Sequence, residues 1–277
     1  MPRSGDREGG GGPRLAVSLA QIELPTLAAR LDWAADEGFA GVEVPVTGAA
    51  GMPHAPGVSP DERAFLRDSL SRFDCVALEA PNQATFDLSL VSPSPAIRRA
   101  SVSELWAVCR LAEAVGAKTV LVRTGNPPMG LAEARAGAYL GECLKTLDRM
   151  AGDHDCRLAL LNADMLSRLV AFSFLEGAGF RHIGVALDLG AARALGEPDA
   201  AAARFADVHA ASVLHRRVPA GDDPVRYTGY AAGKDIAPGD HGCWCLVFDR
   251  LPPDPEASLA AIAARRAQWQ EVLGSAA

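Results

Sequence analysis

A change of hydrophobic period recurs along almost the whole chain. Short apolar runs of strand length alternate with apolar stripes at helical spacing. The runs are Arg14–Leu19, Gly41–Val46, Cys75–Glu79, Thr119–Arg123, Arg157–Leu161, Ile183–Leu187, Asp207–Leu214 and Cys243–Phe248. Between them fall stripes such as Leu27/Leu31/Ala34, Leu66/Leu70/Phe73, Leu105/Cys109/Ala112, Leu140/Cys143/Leu144/Leu147 and Leu166/Leu169/Val170/Phe174. Shorter or final helices are expected over Pro198–Phe205 and Pro255–Leu273. A strand followed by a helix, again and again, demands parallel strands with helical crossovers. Eight such units in about 260 residues close a barrel rather than leave an open sheet. The expected fold is α/β, a single (β/α)8 TIM barrel over residues 14–277. It is irregular around the seventh helix, because residues 216–242 are rich in Gly, Pro, Asp and Arg and read as a long loop. Trp244–Leu251 also has the make-up of a helix, but closure of the barrel favours a strand there. Residues 1–13, with four consecutive glycines, read as a flexible tail.

Composition then removes several classes of function. Lys and Arg number 27 against 34 Asp and Glu, a formal charge of −7, so the chain lacks the cationic face that nucleic acid requires. No stretch approaches the apolar length of a membrane helix, and no hydrophobic run follows the start as in a signal peptide. The six cysteines contain no CxxC pair and read as reduced, small hydrophobes of a cytoplasmic protein. The expected partner is a small-molecule substrate, with no nucleic acid and no membrane, and a homo-oligomer is compatible with the chain.

In a barrel of this kind, chemistry collects at the C-terminal ends of the strands. Read there in order, the chain offers Gln21, Glu43, Glu79, Asn82, Arg123, Asn162, Asp188, His209, His215, Arg216 and Asp249. Glu43, Glu79 and Asp188 are carboxylates able to abstract a proton, and His209 titrates near neutrality as a partner acid. Arg123 can meet developing oxyanion charge. Gln21, Asn82, Asn162, His215, Arg216 and Asp249 are candidates for substrate binding. Each also has a purely structural reading: a satisfied core histidine, or a paired charge at the barrel rim.

Several segments resemble the sugar phosphate isomerase/epimerase family with the xylose-isomerase-like barrel. Leu31–Glu43 is similar to that family's opening helix and its "GFDGVEL" strand. Ala186-Leu-Asp-Leu-Gly resembles its "LDTGH" strand, and Val208-His-Ala its "HVH" strand. Arg216-Arg-Val-Pro resembles a segment of ketose 3-epimerases. The resemblance implies a divalent cation (Mn, Mg, Co or Zn) held by a Glu on the fifth strand, an Asp on the sixth, a His on the seventh and a Glu on the eighth. Carried onto this sequence, those positions are Leu161, Asp188, His209 and, at best, Asp249, while Arg123 replaces a fourth-strand His. Asp188, His209 and Asp249 are thus the residual metal candidates. A leucine can neither ligate a hard cation nor accept a proton. The expectation is an isomerase, epimerase, lyase or cyclase on a small polar carbonyl or polyol-type compound, metal-independent or weakly metal-dependent. Two alternatives stay open: a divalent-metal sugar isomerase with its ligands in another register, and a non-catalytic binding protein that keeps the barrel.

Overall fold

The computed structural model describes residues 14–48, 51–82, 87–164, 178–196, 213–224, 243–248, 251–252 and 254–274. Eight parallel strands run β1 Arg14–Ser18, β2 Gly41–Pro45, β3 Cys75–Glu79, β4 Thr119–Val122, β5 Arg157–Leu161, β6 Ile183–Asp188, β7 Val213–Pro219 and β8 Cys243–Val247. They pair in sequence order, and β8 returns to β1, so the barrel closes. Six α-helices are described: α1 Leu27–Asp36, α2 Pro60–Leu70, α3 Pro95–Val115, α4 Glu133–Asp153, α5 Leu189–Ala194 and α6 Pro255–Gly274. The helices expected around Leu166–Phe174 and over Pro198–Phe205 lie outside the described residues. None of the described helices is long and apolar enough to cross a membrane.

Local chemistry explains where the helices begin and end. The Thr26 side chain accepts from the Ala29 backbone N–H at the start of α1. Ser59 and Glu62 form a reciprocal capping box at α2, with a proline in the first turn. Gly116 closes α3 at φ +79°, a left-handed conformation open to glycine. The inner faces of the helices meet the outward side chains of the strands in one continuous core, running from Leu15 and Leu31 through Val120, Leu144 and Leu160 to Trp269.

The barrel interior is separate and is built from small side chains. Ala77, Leu121, Ala159, Leu161 and Ala186 form one cluster, and Ala16, Cys75 and Cys245 another. Gly41 is required at this narrow level. A Cβ there would lie 2.7 Å from both the Cys75 Cβ and the Cys75 carbonyl oxygen, and 3.1 Å from the Ala16 Cβ. Gly41→Ala should therefore destabilise the barrel by about 1–3 kcal/mol through overpacking. Chemical denaturation of the variant checks this; an unchanged midpoint would show that the strands part easily.

Two expectations need correction. The seventh strand runs over Val213–Pro219, whereas the expected Asp207–Leu214 shares only Val213 and Leu214 with it and otherwise lies outside the described residues, so residues 216–219 belong to the barrel wall rather than to a loop. Two adjacent arginines hide this strand from a hydrophobicity reading, yet both are buried. Arg216 lies over the Trp244 ring at 5.7 Å, and Arg217 points inward to carboxylates. Secondly, Cys75 is disulfide-bonded, whereas the sequence pattern predicts six reduced cysteines. Cys109, Cys143, Cys156 and Cys245 are buried free thiols, as expected.

Candidate active site at the mouth of the barrel

Strand alternation sends Glu43, Glu79, Asp188, His215, Arg217 and Cys245 into one space inside the barrel. Glu43 sits in the middle of β2, while Glu79 and Asp188 end β3 and β6, so the carboxylates climb from mid-depth to the rim. Arg217 stands among them. Its Nη2 lies 3.0 Å from Glu43 Oε1 and 3.6 Å from Glu79 Oε2, and its Nη1 lies 3.5 Å from Asp188 Oδ2. Glu43 is fully buried and is satisfied further: Ser18 Oγ donates to Oε1 at 2.9 Å, and His215 Nε2 lies 3.2 Å from Oε2.

The two glutamates therefore differ in character. Burial alone would raise the Glu43 carboxyl. The Arg217 charge and the contacts with His215 and Ser18 overcome burial and hold it down at about 2. Glu79 shares the burial and feels the charge of Glu43, while Arg217 and Arg123 offset only part of this, so its carboxyl rises to about 7. Burial opposes the charge on Arg217, but Glu43, Glu79 and Asp188 outweigh that and raise its pKa. Environments of this kind separate the two carboxyls in their hold on a proton. Glu43 is a fixed anion, and Glu79 exchanges a proton near neutral pH. Ser18→Ala should cost about 1.5–3 kcal/mol, because it removes a buried hydrogen bond to an ionised group. Urea denaturation near neutral pH is the check.

The remaining candidates divide by placement. Arg123 follows β4 and acts on Glu79 from the mouth; its Nε is buried with no hydrogen-bond partner among the described residues. Gln21 ends a 3-10 turn after β1, and its Oε1 is likewise buried with no partner among the described residues. Arg30 steadies that turn by donating to the Leu19 and Leu24 carbonyls. Asn162 is occupied with the backbone, donating to the Asp188 carbonyl at 3.0 Å and accepting from the Asp188 N–H at 2.6 Å. It positions Asp188, whose Oδ1 in turn accepts from the Ala191 N–H at the start of α5. Asn82 is half-buried, three residues beyond the end of β3. Arg216 faces away from the interior, over Trp244. His209 and Asp249 lie outside the described residues.

Arg217, Ser18 and Cys245 complete the site without having been selected from the sequence. The signal for Arg217 was its position two residues after His215 in a run that also contains Leu214 and Val218, which places both polar side chains on one face of a strand.

The sequence and fold agree on the family. Residues 31–232 match the xylose isomerase-like TIM barrel family, and the chain belongs to it. A D-tagatose 3-epimerase-like protein superposes with a TM-score of 0.72 at 15% identity, covering 95% of this chain and 100% of its own. The D-psicose 3-epimerase of Clostridium cellulolyticum, solved with D-tagatose, gives 0.74 at 11% identity, covering 94% and 99%. The IolI protein with a bound zinc atom gives 0.70 at 13% identity, covering 95% and 99%. At these identities the likeness establishes the fold. No curated relative matches the sequence.

A divalent ion is implied by the family, and the donor set here can be tested against it. Glu43, His215 and Cys245 bring potential ligand atoms within 4.8 Å of one another, all buried. Among the described residues the charge pattern does not suit an ion. Arg217 already neutralises Glu43 at 3.0 Å. Burial, with Glu43 alongside, pushes the Cys245 thiol well above its ordinary pKa, whereas a ligating thiol must ionise. The β5 position is Leu161, fully buried among apolar side chains.

Proposed function

We propose that the chain is an isomerase or epimerase that moves a proton at the carbon beside the carbonyl of a small polyhydroxylated substrate, with Glu79 as the base. The observation that carries this reading is the arrangement of Glu43, Glu79 and Asp188 around one buried guanidinium at the mouth of a xylose isomerase-like barrel. Glu43 lies closest to Arg217 and anchors it. Glu79 and Asp188 stand farther off, at 3.6 and 3.5 Å, at the C-terminal ends of β3 and β6.

The chemistry balances without a further reactant. The Glu79 carboxylate takes the proton from carbon, and the bonding pair shifts into an enediolate whose oxygen charge is met by Arg217 or Arg123. Glu79 returns that proton to the neighbouring carbon while the hydroxyl proton passes to the former carbonyl oxygen, giving the isomer; a proton delivered from water to the opposite face of the original carbon gives the epimer. Its pKa of about 7 suits Glu79 to both halves of the cycle. Gln21 Oε1 and Arg123 Nε, without partners among the described residues, complement a hydroxyl donor and an oxygen acceptor, which a ketose supplies on adjacent carbons. The family likeness supports a sugar, because the structural neighbours include a D-psicose 3-epimerase and a D-tagatose 3-epimerase-like protein.

Incubation with D-fructose, D-tagatose and D-psicose, followed by chromatography of the products, tests the reading. Appearance of an epimer or an aldose is expected with at least one of them. If none is converted at substrate-level enzyme, and none exchanges its carbon-bound proton, the assignment fails.

A further inference from the structure

Three carboxylates from three different strands point at one place inside this barrel, and the group that receives them is a side chain of the same chain. Glu43 arrives from β2, Glu79 from β3 and Asp188 from β6, and all three meet the guanidinium of Arg217 from β7 within 3.0–3.6 Å. We infer that Arg217 is the permanent cation of this site and takes over the electrostatic task that a divalent ion performs where carboxylates converge in this way.

Geometry and charge both support the exchange. The Arg217 side chain is 5% exposed and Glu43 is 0% exposed, so water screens neither group. A guanidinium keeps its charge across the working pH range and presents planar N–H donors to oxygens. A divalent ion on Glu43 and His215 would stand directly beside that guanidinium, and the like charges would repel across a dry interior. Leu161 offers no oxygen from β5. The Arg217 Nε–H has no acceptor among the described residues, leaving one donor of the fixed cation uncommitted there. A built-in cation carries a single charge and no exchangeable water. It can orient an oxygen and stabilise its charge but cannot supply a metal-bound hydroxide.

The inference rests on the mouth being the functional site. Its test uses no substrate, so it succeeds or fails apart from the proposed reaction. Protein purified without chelator is analysed for metal and then titrated with Mn, Mg, Co and Zn by calorimetry, with melting temperature followed in parallel. The wild type is expected to hold less than about one-tenth of an equivalent. It should show no saturable binding below about 1 mM and no change in melting temperature with EDTA. Arg217→Met removes the guanidinium that the three carboxylates share, so this variant should gain saturable Mn or Zn binding and be stabilised by it. Arg217→Lys keeps the charge and should gain none. Stoichiometric metal in the wild type overturns the proposal. So does an Arg217→Met protein that folds and ignores metal. If Arg217→Met does not fold, the wild-type titration decides alone.

Discussion

Replacing Arg217 by methionine is expected to lower folding stability by about 3–5 kcal/mol at neutral pH, because it strands buried charges that this guanidinium now pairs. Glu43 is the principal loser, being fully buried and 3.0 Å from Arg217. The pH dependence gives the mechanism a signature. In the wild type the Glu43 carboxyl is held at about 2 against an ordinary 4.5. Its contribution is present above 4.5 and is lost as pH falls through about 2, and it amounts to roughly 3 kcal/mol. Without Arg217 the order reverses. Burial then raises the carboxyl, the folded state binds the proton more tightly than the unfolded chain, and stability is lost as pH rises. The variant should therefore approach the wild type in mild acid and fall behind it at neutral pH. Denaturation midpoints at pH 4, 5.5 and 7 measure this directly. A pH-independent difference would mean that lost packing, not charge, sets the cost.

Replacing Glu79 by glutamine should have opposite effects on activity and stability. Loss of the base is expected to reduce turnover of a converted ketose by about 10²–10⁴-fold. In the wild type, kcat/KM should rise with pH through about 7, as Glu79 ionises in the free enzyme. The same group burdens the fold. Its pKa is raised from 4.5 to about 7, so the stability tied to its proton is fully present below 4.5 and lost as pH rises through 7. Glutamine carries no such loss. At pH 8–9 the variant should be more stable than the wild type by on the order of 3 kcal/mol, and at pH 4 nearly equal. Stability conceded at a residue that works is the usual exchange at active sites. A variant that is inactive and also less stable at pH 9 would point to a structural role for Glu79.

Much of this was legible in the chain. β1 to β6 and β8 show the apolar runs of strands covered by helices, and their order alone demanded a barrel. Glu43 and Glu79 could be placed at the mouth because each interrupts or ends an apolar run at an inward position. β7 was obscured because its buried side chains are charged. A scale that scores arginine as solvent-exposed cannot register Arg217, whose partners lie about 30 to 170 residues away in sequence. The division of labour between Glu43 and Glu79 was illegible for the same reason, since it depends on which carboxylate stands nearer that arginine. Asn162 illustrates the converse. By type and position it resembles a substrate contact, but both ends of its amide are committed to the backbone of Asp188.

The most direct test of the account is proton exchange at carbon. A ketose that the protein converts is incubated in D2O at pH 7.5 with excess EDTA, and deuterium at the carbon beside the carbonyl is followed by NMR. The account predicts steady incorporation by the wild type, undiminished by the chelator, and essentially none by Glu79→Gln. Conversion without deuterium, or exchange that stops with EDTA and returns with added metal, would contradict it.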